Sequence, residues 1–107
     1  MWIRKTDRML VHSVFFTLKE GLSDDQKAAF IEQVKTLGTI DTVKSIHVGT
    51  PAATPDRPVI NKNYDVGLTV IFDSIEEHDV YQDAQAHLDF IENNKDLWES
   101  VVIYDVD

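Results

Sequence analysis

The sequence predicts an α+β fold of the ferredoxin-like kind, β-α-β-β-α-β, with a four-stranded antiparallel sheet and helices on one of its faces. Three observations predict it. Four segments rich in Val, Ile and Phe are spaced along the chain with helical patterns between the first and second and between the third and fourth. Both helical patterns begin with a Ser-x-x-Gln/Glu box, at Ser23 and at Ser74. All three prolines, Pro51, Pro55 and Pro58, fall in one stretch between the second and third strands. Proline lacks a donor and fixes φ, so that stretch is a loop and not a central strand.

The first strand is expected over residues 10–19. Alternation puts His12, Val14, Phe16 and Leu18 on one face and Val11, Ser13, Phe15 and Thr17 on the other. Residues 20–22 turn the chain. Ser23 then takes the N-cap with Gln26 reaching back from N3, while Asp24 and Asp25 suit the positive end of the helix. Phe30, Ile31, Val34 and Leu37 recur at helical spacing and form one apolar stripe, and Gly38 is the expected stop. A second strand follows over residues 43–50. The third, over residues 64–72, places Tyr64, Val66, Leu68, Val70 and Phe72 on one face and Asp65, Gly67, Thr69 and Ile71 on the other. With Asp73 or Ser74 as the cap and Glu77 completing the box after Ser74, a short helix runs to Gln82, breaks over residues 83–85, and resumes over residues 86–94. The last strand covers residues 99–106, centred on Val101, Val102, Ile103 and Tyr104.

The length of 107 residues suits one domain, expected over residues 9–107, with residues 1–8 as a flexible extension. No cysteine is present, which removes disulfides, thiolate metal sites and cysteine nucleophiles. The net charge is −9 and the basic residues are scattered, which argues against nucleic-acid or anionic-membrane partners. No apolar stretch approaches the roughly 20 residues that cross a bilayer, so a cytoplasmic location is expected. The sheet face bearing Val11, Phe15 and Ile71 is too apolar to stand in water, so a homodimer packed through that face is expected. Two sheets so packed approach a dimeric α+β barrel.

The chain resembles the stress-responsive A/B barrel (Dabb) family. The resemblance rests on Val11, His12, Ser13, Val14, Phe15 and Phe16 in the first strand and on Tyr64 and Asp65 opening the third. It continues through Tyr81, His87 and Phe90 to Leu97 and Trp98 before the last strand. It implies the same fold, a dimeric barrel, and little about activity, since most members have no assigned reaction. One plant member is a polyketide cyclase that closes a ring by a cofactor-free aldol step, and His12, Tyr81 and His87 match three of its functional positions. Many members carry His-Pro-x-His where this chain has Ala84, Gln85, Ala86 and His87, so the first histidine and the proline are missing.

Each candidate residue admits a structural and a chemical reading. His12 points toward the helices, either as a core histidine with a backbone partner or as a pocket residue that orients a base or a substrate oxygen. His87 is a helix-start histidine or a general base whose imidazole is kept neutral near the helix N-terminus. Tyr81 is core aromatic packing or a phenol that donates to a developing enolate oxygen. Phe16, Phe30, Val66 and Leu68 are the expected lining for a hydrophobic or aromatic ligand. His47 should face away from Ile46 and Val48, toward the dimer seam. His78 reads as a solvated helix residue, and Asp65, Asp105 and Asp107 read as surface or edge charges. No metal-site spacing, phosphate loop or dinucleotide fingerprint occurs, so neither metal nor cofactor is expected. Two function classes fit: a small-molecule binding domain without turnover, and a cofactor-free cyclase or isomerase with His87 as base. A purely structural dimerisation module fits less well, because it has no use for His12 and His87 on the helix side.

Overall fold

The computed structural model describes residues 8–107. Residues 1–7 lie outside the described residues, and with them almost all of the extension expected from the sequence. The elements run β1 (Leu10–Leu18), α1 (Asp24–Lys35), β2 (Ser45–Gly49), β3 (Val66–Phe72), α2 (Ile75–Asp83), α3 (Gln85–Asn94) and β4 (Trp98–Val106). One sheet of 4 strands has the order β2-β3-β1-β4. All its neighbours are antiparallel, which is the predicted α+β ferredoxin-like arrangement.

The alternation in β1 translates directly into burial. Leu10, His12, Val14, Phe16 and Leu18 are buried, and the residues between them are only half-buried. β3 repeats the pattern, with Val66, Leu68, Val70 and Phe72 buried. These two central strands meet the apolar stripe of α1, where Phe30 and Val34 are fully covered. The Ser23 box forms as expected: Gln26 N–H donates to Ser23 Oγ at 3.1 Å, and Ser23 N–H donates to Gln26 Oε1 at 2.8 Å. Ser74 Oγ likewise accepts from Glu77 N–H at 3.2 Å.

Three local expectations change. Gly38 does not end the helix. α1 stops at Lys35, and a 3₁₀ turn over Thr36–Thr39 follows, in which Thr36 Oγ1 donates to Gln33 O. Gly38 is needed for close approach instead, because a Cβ there would sit 2.7 Å from Ile46 Cγ2 on β2. Tyr64 lies on the face opposite to the one its spacing suggested. β3 is regular only from Val66, and Asp65 turns in to accept from Leu18 N–H at 2.7 Å, so the Tyr64 ring crosses over Gly67 to Phe15, 4.9 Å between ring centroids. β2 is shorter than expected, since Val43 N–H is taken by Ile40 O in a turn.

The break between α2 and α3 falls within the predicted stretch and is a single extended residue, Ala84, with ψ 140°. That one residue redirects the chain, so α3 is aimed independently of α2. Among the described residues no helix is long and apolar enough to cross a membrane.

Candidate functional site

The site lies between the sheet and the α2–α3 pair. His12 enters from β1 and is 2% exposed. In the antiparallel register it stands directly opposite Asp105 of β4, so both side chains leave the same face of the sheet. His12 Nδ1–H donates to Asp105 Oδ1 at 2.5 Å. A carboxylate has no proton to give, so this bond selects the tautomer and leaves Nε2 as the basic nitrogen. Burial pulls the His12 pKa below its ordinary value, the Asp105 carboxylate pulls it up, and His78 adds to the lowering; the net direction is down.

The α2 helix contributes two residues one turn apart. His78 and Tyr81 are spaced i, i+3, which puts both on the face turned to the sheet. The His78 ring centroid is 4.9 Å from that of His12, and Tyr81 is 6.1 Å from His12. The side chain of His78 is only 15% exposed, so it is not the solvated residue expected from its acidic neighbours. It packs against Phe72 as well, 5.5 Å between ring centroids. Tyr81 is 1% exposed, and burial drives its pKa far above that of an ordinary phenol. It therefore remains a protonated donor across the physiological range.

His87 comes from the first turn of α3 and stacks at a tilt on Tyr81, 4.7 Å between centroids. It is 9% exposed, and its Nδ1 has no hydrogen-bond partner among the described residues. Burial lowers its pKa, His12 and His78 lower it further, and the Gln82 backbone acts weakly in the opposite direction. A buried nitrogen left without a partner costs roughly 1–3 kcal/mol, so the position calls for a ligand or water.

His12, Tyr81 and His87 thus share the wall of one cavity of about 130 Å³. Phe16, Leu68, Phe90, Trp98, Val101 and Ile103 supply its apolar side. Phe16 and Leu68 were expected there. Phe30 and Val66 were too, but they belong to the core behind the wall, 0% and 1% exposed. Phe30 meets Phe16 edge-on at 5.2 Å and so backs the lining without reaching the cavity. His47 is exposed and pairs with Thr69, on the face away from the helices. Asp65 holds the Leu18 amide.

Sequence reasoning missed His78 and Asp105. Both carried a signal. The i, i+3 spacing tied His78 to Tyr81, and alternation tied Asp105 to Val101 and Ile103. Acidic neighbours at Glu76, Glu77 and Asp79 made His78 look like a solvent residue, and the identity of the strand opposite Asp105 is a tertiary fact.

The profile of the stress-responsive A/B barrel domain family, Dabb, matches residues 10–107, the whole of the folded region just described. The chain belongs to the Dabb family. Among solved structures this Dabb chain is similar to the hydroxynitrile lyase from Passiflora edulis, with TM-score 0.77 and 21% identity over 94% of this chain and 93% of that one. It is also similar to a Dabb family protein with a ferredoxin-like fold from Mesorhizobium loti, with TM-score 0.76 and 22% identity over 92% and 95% of the two chains. A third is a dimeric protein of unknown function and ferredoxin-like fold from Bacteroides fragilis, with TM-score 0.70 and 19% identity over 92% and 95%. At these identities the likeness speaks to the fold. A comparison with curated proteins finds no match.

Proposed function

We propose that this Dabb chain is a homodimeric small-molecule domain whose helix-side cavity binds a compact carbonyl compound and moves a proton on it without a cofactor. The observation that carries the reading is a buried imidazole, His87, whose Nδ1 lacks a partner in the wall of an apolar cavity shared with the Asp105-oriented His12. Such a nitrogen matches a ligand with one polar end, and the apolar walls match its body. The cavity, at about 130 Å³, is close to the roughly 150 Å³ that holds benzene, so the enclosed part of the ligand is about one ring in size.

The roles follow from the hydrogen bonds. His12, and not His87, is the better base, because Asp105 orients its ring and stabilises the imidazolium that forms. The proton leaves the carbon beside the carbonyl for His12 Nε2. Tyr81, held protonated, donates to the oxygen where enolate charge develops, and His87 hydrogen-bonds the same end. The hydroxynitrile lyase from Passiflora edulis supports an enzymatic reading, since it is a lyase built on this fold. The dimer is supported by the half-exposed apolar side chains on the other sheet face, with Val102 47%, Tyr104 62% and Val106 63% exposed, and by the dimeric protein of this fold from Bacteroides fragilis.

The test uses imidazole nitrogen spectra of the full chain titrated with single-ring ketones and aldehydes, followed by solvent deuterium exchange beside the carbonyl. Binding should move the His12 and His87 signals and leave His47 unmoved. His12→Gln should slow exchange by about 10²-fold or more. Absence of any shift at His12 and His87 sinks the pocket. Shifts without exchange leave a binding domain that lacks turnover. Phe15→Asp should convert the dimer to monomer, and a variant that still sediments as a dimer moves the seam elsewhere.

A further inference from the structure

A second ligand is suggested by a cluster that shares His12 and Asp105 with the first and adds His78. Among the described residues, His12, His78 and Asp105 present donor atoms that all lie within 4.8 Å of one another. They come from β1, α2 and β4, so the grouping exists only in the folded chain. We propose that these three side chains bind one divalent transition-metal cation, with zinc the best fit.

The donor set selects the ion. Two imidazoles and one carboxylate suit zinc and its transition-metal neighbours, whereas magnesium and calcium call for oxygen donors throughout. Three protein ligands also leave a position open for water, as in sites where zinc stays accessible. The burial gradient agrees. Side-chain exposure rises from 3% at His12 through 15% at His78 to 43% at Asp105, which gives a buried floor and one open approach. The outer partners are in place too. His78 Nδ1 lies 3.2 Å from the Asp79 carboxylate, which would fix the ring with Nε2 as the ligand nitrogen. The Gln82 amide that now sits 3.2 Å from His78 Nε2 would give way.

The three donor atoms, which lie within 4.8 Å of one another, must also rearrange around an ion. His12 Nδ1 and Asp105 Oδ1 stand 2.5 Å apart, joined by a proton. Two ligands of a tetrahedral zinc ion keep roughly 3.3 Å between them. The ion would replace the proton, and Asp105 would swing outward by about 1 Å, which an exposed side chain on an edge strand allows. A bound ion also claims His12, so the metal-loaded chain would lose the base assigned above. The cluster shares His12 and Asp105 with that reading, yet ion binding can be measured by itself, with no organic ligand present.

The experiment is calorimetric titration of zinc chloride into the full-length chain after chelator treatment, with imidazole nitrogen spectra of the same samples. One ion per chain is expected, with the His12 and His78 signals shifted and His47 unmoved. His78→Gln and Asp105→Asn should each weaken binding by about tenfold or more, and His47→Gln should leave it unchanged. Thermal melts of each variant separate lost ligation from lost fold, and His78→Asn serves if His78→Gln melts early. Wild-type affinity in a folded His78 variant overturns the site, and so does equal weakening by His47→Gln. Failure here with intact ketone binding leaves the proposed proton transfer standing; zinc binding with no ketone response does the reverse.

Discussion

The layer between sheet and helices has two ends that are built alike and do opposite things. At one end Phe16, Phe30, Phe90 and Trp98 pack on one another, with Phe16 and Trp98 5.1 Å apart and Phe90 and Trp98 6.1 Å apart. At the other end His12, His78, Tyr81 and His87 pack at the same spacings. Both are aromatic clusters that share β1 and α3. The first has almost no polar atom to satisfy, so burial translates into stability. The second buries imidazole nitrogens, which costs free energy unless each finds a partner. The fold is anchored at the phenylalanine end, which leaves the histidine end to carry the unpaired nitrogen of His87.

Mutations should separate the two ends. Phe30→Ala is the largest expected effect, a loss of about 3–5 kcal/mol in urea unfolding, because Phe30 is fully buried among aromatic neighbours. A loss below about 1 kcal/mol would break the view that this end is the anchor. His87→Phe should go the other way. Removing the unpartnered Nδ1 should leave stability unchanged or raise it by up to about 2 kcal/mol, while ligand response at His12 is lost. A large destabilisation would make His87 structural.

Acid should act on the histidine end. His12 and His87 both have folded pKa values below the ordinary 6.5, so the unfolded chain binds protons first. Their contribution is complete above pH 6.5 and is lost as pH falls from there through the folded values. Melting temperature should therefore drop below pH 6.5 in the wild type, and drop less in His87→Phe. Equal acid profiles would remove His87 from the account. The smallest effect belongs to neither end: Ser23→Ala should cost about 1 kcal/mol through the lost α1 cap, measured by the same unfolding curves.

Much of this architecture was legible in the chain. Period-two burial in β1 and β3, the capping box at Ser23, the Ser74 cap and the break at Ala84 follow from local rules that need no partner strand. The site was legible only in part. His12 could be chosen because alternation aims it inward, and Tyr81 and His87 because they match positions of the family that the chain resembles. Gly38 and Tyr64 misled, since one answers to Ile46 on β2 and the other to Phe15 on β1, both on other elements of the chain.

By itself, then, the sequence determined element order, which face of each strand turns inward, and the stripe that α1 buries, because side-chain periodicity and capping are decided within a few residues. Only the tertiary structure decided that Asp105 meets His12 and that His78 joins them. Register between β1 and β4 and the angle of α2 over the sheet are set by packing summed over the whole core, and no local pattern encodes either.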